Sequence, residues 1–158
     1  PARDSDLVGV KLMNTRYRVC ASPGYLARTT AALDDPADLA RHPCLRFRFA
    51  PFDVRWLTRA NETAEILEIP VDGPLLASNA LALQDAARAG LGPALLADWL
   101  VAEDVAAGAL VELFPTYEFT ATTWDTAAWA LYPSKAYLPW KTRATLDWLK
   151  AALRNPAA

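Results

Sequence analysis

An α/β fold is what the sequence predicts, and three observations predict it. Gly73 to Leu113 reads as strand, helix, strand, short helix, strand. Stretches with strand character recur on either side of it. The chain closes on a helix whose apolar residues keep helical spacing. Composition agrees, since 53% of the 158 residues are apolar and 22% charged, as in a globular chain. That length suits one domain or two small lobes with a sizeable core.

The elements follow in order. Residues 1–14 open as a loop and a short segment, Leu7-Val8-Gly9-Val10, with no helix or turn to introduce them. Tyr17 to Ala21 alternates and is a strand. Ser22-Pro23-Gly24 breaks it, and Tyr25-Leu26-Ala27 begins a helical turn. Asp34-Asp35-Pro36-Ala37-Asp38-Leu39 starts a helix, with an Asp cap and Pro at the first position, and His42-Pro43 ends it. Cys44 to Phe49 alternates apolar and basic residues, a half-exposed strand that Pro51 bends or stops. Val54 to Thr58, around Trp56, is another strand. Glu65 to Val71 is a further one, with Pro70 near an edge or bulge.

The central stretch begins with the apolar run Pro74 to Ala77. Ser78 and Asn79 are N-cap residue types, whose side-chain oxygen accepts from a free backbone N–H. Ala82, Leu83, Ala86, Ala87 and Gly90 fall on one helical face, and Gln84, Asp85 and Arg88 on the opposite one. Gly90 and Gly92 stop the helix. Ala94-Leu95-Leu96 is a continuous apolar run, as in a strand covered on both faces. Two strands joined by such a helix make a right-handed βαβ unit, and ligands bind outside the carboxyl ends of such strands. The Ser78-Asn79 turn lies at such an end and offers backbone N–H groups to an anion.

Beyond it, Asp98 caps a helical stretch from Trp99 to Ala107, closed by Gly108, and Leu110 to Phe114 is a strand. Thr120 to Tyr132 is long for one strand and allows two, broken at Trp124-Asp125-Thr126. Pro139 sits in the first turn of the last helix. Thr142, Leu146, Leu149 and Leu153 form its core stripe, Arg143, Asp147, Lys150 and Arg154 share another face, and Asn155-Pro156 ends it.

Several function classes find no support. The net charge is −2, without the basic face that nucleic acid requires. No apolar run approaches the ~20 residues of a membrane helix, and no signal peptide opens the chain, so a cytoplasmic protein is expected. His42 is the sole histidine and has no nucleophile in predictable range. Cys20 and Cys44 match no zinc spacing and read as reduced core residues. There is no GxGxxG, P-loop or GxSxG. No catalytic residue, metal ligand or cofactor is expected.

One family supplies the ordered set of segments. Gly73-Pro74-Leu75, Ser78 to Leu83, Ala89 to Leu96, and Trp99 to Asp104 with Gly108 to Val111 resemble the effector-binding domain of LysR-type transcriptional regulators. Cys20 to Leu26 resembles the segment where that family's chain first crosses between lobes. Asp38-Leu39-Ala40 with His42 to Leu45 resembles the helix and strand that follow. Tyr132-Pro133-Ser134 with the helix after Pro139 resembles the return crossover and final helix. Pro93 stands where an aliphatic residue is common, and Ala97 where proline is common.

The resemblance implies two α/β lobes in a periplasmic-binding-protein-like fold, with a small effector in the cleft. The second lobe would run from Ala21 to Asp125. The first would comprise Pro1 to Cys20 and Thr126 to Ala158, an incomplete lobe, since the family's opening strands and helices have no counterpart here. Its helix-turn-helix has none either, so DNA would be met only through a missing N-terminal domain. The resemblance further implies self-association as a homodimer or tetramer. Ser78, Asn79 and Ala80 match the family's second-lobe effector contacts, Asp98 and Trp99 flank the same cleft, and Ser22 on the crossover is a further candidate. The expected function is ligand sensing and oligomerisation in a bacterial regulator. A solute-binding protein for a small anionic metabolite is the alternative, with an enzyme or a purely oligomerising domain behind it.

Overall fold

In a computed structural model of the chain, the described residues are 7–62, 64–133 and 138–154. The elements are β1 (Leu7–Asn14), β2 (Tyr17–Ala21), α1 (Pro23–Arg28), a short 3-10 helix (Pro36–Arg41), β3 (Arg46–Phe47), β4 (Arg55–Arg59), β5 (Leu67–Pro70), β6 (Leu76–Ala77) and α2 (Ala80–Arg88). They continue as β7 (Ala94–Ala97), α3 (Asp98–Ala106), β8 (Val111–Leu113), β9 (Glu118–Thr120), β10 (Ala127–Pro133) and α4 (Trp140–Arg154). They divide into two compact units, Pro1–Thr15 with Asp125–Ala158, and Arg16–Trp124.

The first unit is a two-stranded antiparallel ribbon of β1 and β10, running from Leu7↔Pro133 to Asn14↔Ala127 with an irregularity between Lys11 and Met13. The four-residue apolar segment expected near Leu7 is thus the start of an eight-residue strand. Its continuation, Lys11-Leu12-Met13-Asn14, sets two adjacent apolar residues between polar ends without strand alternation, and pairing with distant β10 makes it a strand. The break expected at Trp124-Asp125-Thr126 does separate β9 from β10. α4 packs on β1, and Pro139 accepts the N–H of Arg143 at 3.1 Å as it opens the helix. Leu146 is buried and Thr142 and Leu149 half-buried, whereas Leu153, expected in the stripe, is exposed. The expected stop at Asn155-Pro156 lies outside the described residues.

The second unit is built on a sheet ordered β5-β4-β9-β2-β7, with β8 also paired to β2. β2 is therefore its central strand. Tyr17, Arg18, Val19 and Cys20 pair with Ala97, Leu96, Leu95 and Ala94. Hydrogen-bonded to β7, β8 and β9, this strand belongs to the second compact unit, whose first residue is Arg16. Alternation sends successive residues to opposite faces. Val19 and Leu95 join one buried cluster with Trp56, Ile69 and Leu39. Cys20, Ala94 and Leu96 join another with Leu83, Ala86, Ala87 and Val101. Both faces of the central strands are therefore covered, which is why β7 is apolar throughout and buried at every residue.

The expected βαβ unit is present with one strand more than the sequence suggests. β6 pairs in parallel with β3, and Leu45, just before β3, bridges Ala94 in parallel. The Cys44–Phe47 segment therefore lies between β6 and β7. Its Leu45 N–H donates to the Pro93 carbonyl at 2.7 Å, and its Arg46 N–H to that of Leu75 at 3.0 Å. This central place buries Cys44 and Leu45 together, so the half-exposed strand expected from Cys44 to Phe49 shrinks to β3. Gly92 is dictated by the same packing, because a Cβ there would lie 2.0 Å from the Pro43 carbonyl oxygen. On α2 the buried residues are Leu83, Ala86 and Ala87, and Gly90 ends it at φ +80°, while Ala82, expected inward, is exposed. Pro70 lies on edge strand β5, where its missing N–H costs nothing.

Candidate functional site

Helices α2 and α3 run side by side in the same direction. Gln84 donates from Nε2 to the Leu100 carbonyl at 3.0 Å and to Asp104 Oδ2 at 2.7 Å. One turn further on, Arg88 Nε lies 3.5 Å from Asp104 Oδ1. Contacts that advance together along both helices place both N-termini at one end. Gln84 was expected on the solvent face. It is half-buried because it fills the seam between the helices, and no sequence pattern near it marks Asp104 as its partner.

At that common end Asn79 caps α2, its Oδ1 accepting from the Leu81 N–H at 2.9 Å. The cap satisfies one of the first-turn N–H groups; that of Ala80 has no intrahelical acceptor. Ser78 and Asn79 are exposed and Ala80 is half-buried. α3 begins at Asp98, one residue before the expected start, and Ala97 stands at the cap without a side-chain bond. Asp98 acts from inside the first turn. Its Oδ1 accepts from Trp99 N–H at 2.8 Å and from Arg16 N–H at 3.4 Å, while its own N–H donates to the Arg16 carbonyl at 2.9 Å. Asp98 is therefore committed to the start of β2 and positions the end of the site. Trp99 presents its ring beside it with 55% of its surface exposed.

Five of the six expected residues thus share one end of the second unit. Ser22 does not join them. The β2–β7 register sets Tyr17 beside Ala97 and Cys20 beside Ala94, so Ser22 follows the far end of β2 from Asp98. There it is 4% exposed and caps α1, accepting from Tyr25 N–H at 3.2 Å. The Ser-Pro-Gly sequence that reads as a strand breaker is at the same time a helix start.

His42 is buried, with Nδ1 2.7 Å from the Tyr25 hydroxyl and Nε2 3.0 Å from the Ala32 carbonyl, so both ring nitrogens are engaged structurally. Burial pushes the Cys20 thiol up to about 12, with Glu112 adding to the effect, and burial pushes Cys44 up to about 12 as well. Neither thiol is a nucleophile at neutral pH. Among the described residues no group of three or more His, Cys, Asp and Glu side chains could hold a metal ion. Among them, too, no helix is long and apolar enough to cross a membrane.

Comparison with known proteins agrees with this architecture. A family model described as the LysR substrate binding domain matches residues 1–154. The HTH-type transcriptional regulator PtxR of Pseudomonas aeruginosa is 34% identical over 155 residues, covering 98% of this chain and 47% of the relative. The HTH-type transcriptional regulator DmlR of Escherichia coli is 34% identical over 148 residues, covering 92% and 45%. Among solved structures, the regulatory domain of CrgA, a LysR-type transcriptional regulator from Neisseria meningitidis, matches with a TM-score of 0.78 at 28% identity, over 96% of this chain and 72% of that one. The chain spans about half the length of the curated relatives it matches.

Proposed function

The chain belongs to the LysR substrate-binding domain family, and on that premise we propose that it is the effector-sensing and self-associating part of a bacterial transcriptional regulator. The single observation that carries the reading is the family match across residues 1–154. The common N-terminal end of α2 and α3 gives it a location. Ser78, Asn79, Ala80, Asp98 and Trp99 form the effector site on the second unit. The Ser78 hydroxyl and the Ala80 N–H donate to an acidic group of the effector, and two parallel helix N-termini add partial positive charge of about half an elementary unit each. Trp99 supplies an apolar wall, as aromatic residues do in most ligand pockets. Asp98 holds the start of β2 in place beneath it.

The effector class is a small carboxylate or similar anion. Its binding shifts the population of domain states that differ in affinity for it, and oligomer geometry transmits the shift to DNA-binding modules. The relatives' description as HTH-type regulators supports DNA contact through such a module in the whole protein. The same relatives, with the engaged His42 and protonated thiols, support a sensor without catalytic activity working in the cytoplasm. The test is calorimetric titration of a panel of aromatic and aliphatic carboxylates into the wild type and Ser78→Ala. At least one should bind saturably and lose about tenfold in affinity, worth about 1.4 kcal/mol, in the variant. A panel with no Ser78-sensitive binder refutes the assignment.

A further inference from the structure

An open hollow of about 590 Å³ lies at the opposite end of the second unit. It lies where α1 starts and α2 and α3 finish, lined by Ser22, Gly24, Arg28, Arg88, Gly90 and Gly108 among others. Its volume falls within the range of about 300–1,000 Å³ typical of small-molecule sites. Its lining includes two guanidinium groups and no carboxylate.

Helix C-termini ordinarily repel anions, so their carbonyls must be accounted for. Several of them are engaged by neighbouring donors. At the end of α2, Ala86, Ala87 and Gly90 accept from Leu91, Gly90 and Arg28. At the end of α3, Glu103, Asp104 and Val105 accept from Ala107, from Ala109 and Leu110, and from Gly108. The guanidinium groups are less committed. Arg28 Nη2 donates to the Gly90 carbonyl at 3.0 Å, and its Nη1 reaches back towards Gly24. Arg88 lies 3.5 Å from Asp104 and 3.7 Å from Asp85, farther than a charge-assisted hydrogen bond of about 2.7–2.9 Å. Between them the Ser22 hydroxyl, buried and accepting from Tyr25, has no acceptor for its proton among the described residues. A Cβ on Gly90 would come within 2.7 Å of Arg28 Nη2 and 3.3 Å of Ser22 Oγ, so these two groups sit together beside Gly90.

We propose that this hollow is a second anion site, separate from the Ser78–Trp99 end, which takes a small molecule bearing a doubly charged oxyanion. Two guanidinium forks suit a phosphate monoester or a dicarboxylate by the same planar, paired donation. The Ser22 hydroxyl completes the donor set. The proposal stands without the effector assignment above, because it uses none of the same residues.

The test is calorimetry at low ionic strength on the 158-residue protein, with inorganic phosphate and succinate as separate arms. One of them should bind saturably. Arg88→Gln should weaken it at least tenfold, and so should Arg28→Lys, which keeps the charge and loses the fork. Ser78→Ala should leave it unchanged. Saturation by phosphate alone assigns the phosphate class, and by succinate alone the dicarboxylate class. Absence of saturable binding in both arms overturns the proposal. So does equal binding by Arg88→Gln, which removes the ion pairs with Asp85 and Asp104 and is first shown to be folded by circular dichroism. Weakening by Ser78→Ala would place the anion at the other end and also overturn it.

Discussion

Replacing Gln84 by methionine removes the two donors that join α2 to α3 while keeping a side chain of similar length. The lost bonds are one to the Leu100 carbonyl at 3.0 Å and one to the Asp104 carboxylate at 2.7 Å. A bond to a charged group contributes about 1.5–3 kcal/mol and a neutral one about 0.5–1.5 kcal/mol. Asp104 keeps only 12% of its side chain exposed, so water replaces little of its lost partner. Gln84 is half-buried, which lets water recover part of the Leu100 bond. The expected cost is therefore about 2 kcal/mol. Chemical denaturation followed by circular dichroism measures it. Combining the change with Asp104→Asn in a double-mutant cycle should give a coupling of about 1–2 kcal/mol, as for residues in one network. A cost below about 0.5 kcal/mol, the level of an ordinary surface substitution, or a coupling near zero, would show that this seam does not hold the helices parallel.

Other outcomes follow from single contacts. Gly92→Ala drives a Cβ to 2.0 Å from the Pro43 oxygen beside the Leu45–Pro93 bond, and should cost at least about 3 kcal/mol in the same denaturation assay or abolish soluble expression. Asn79→Ala removes the α2 cap and should cost about 1 kcal/mol. Asn79→Asp keeps an oxygen at the cap and should hold stability within a few tenths of a kcal/mol, yet it should weaken any anion bound at that end, measurable by calorimetry. Cys20 and Cys44 should resist a thiol reagent at pH 8 in the folded protein and react on unfolding, since burial holds both protonated up to about 12. Raised thiol values mean that the folded state keeps its protons longer. Their contribution is fully present below about 9 and is lost as pH climbs towards about 12. Denaturation midpoints at pH 8 and pH 10.5 should therefore fall in that order, and less so in Cys44→Ala.

Much of this architecture is legible in the chain because local and global signals agree there. Tyr17 to Ala21, the Asn79 cap, the all-apolar Ala94-Leu95-Leu96 and the Gly90 and Gly108 stops carry their own instructions. The second half of β1 does not, since Lys11 and Asn14 have strand geometry only through pairing with residues over a hundred positions away. The burial of Cys44 and Leu45 is likewise a matter of lying between β6 and β7, whatever the alternation of the residues that follow. For the site, the residue types at Ser78–Ala80 announce a helix start, and the motif order announces the family. Distance along the chain misplaces Ser22. It neighbours the crossover in sequence, yet β2 carries it to the far end of the sheet. The Gln84 bonds and the presence of Arg28 and Arg88 in one lining are invisible in sequence because they arise from helices packed alongside.

The most direct measurement is an amide NMR titration of the 158-residue protein with the tightest carboxylate from the calorimetric panel. Effector sensing at the common end of α2 and α3 requires the largest saturable shifts at Ser78, Ala80, Leu81 and Trp99, including the Trp99 indole N–H. Saturable shifts that leave Ser78 to Leu81 and Trp99 unmoved would contradict the account.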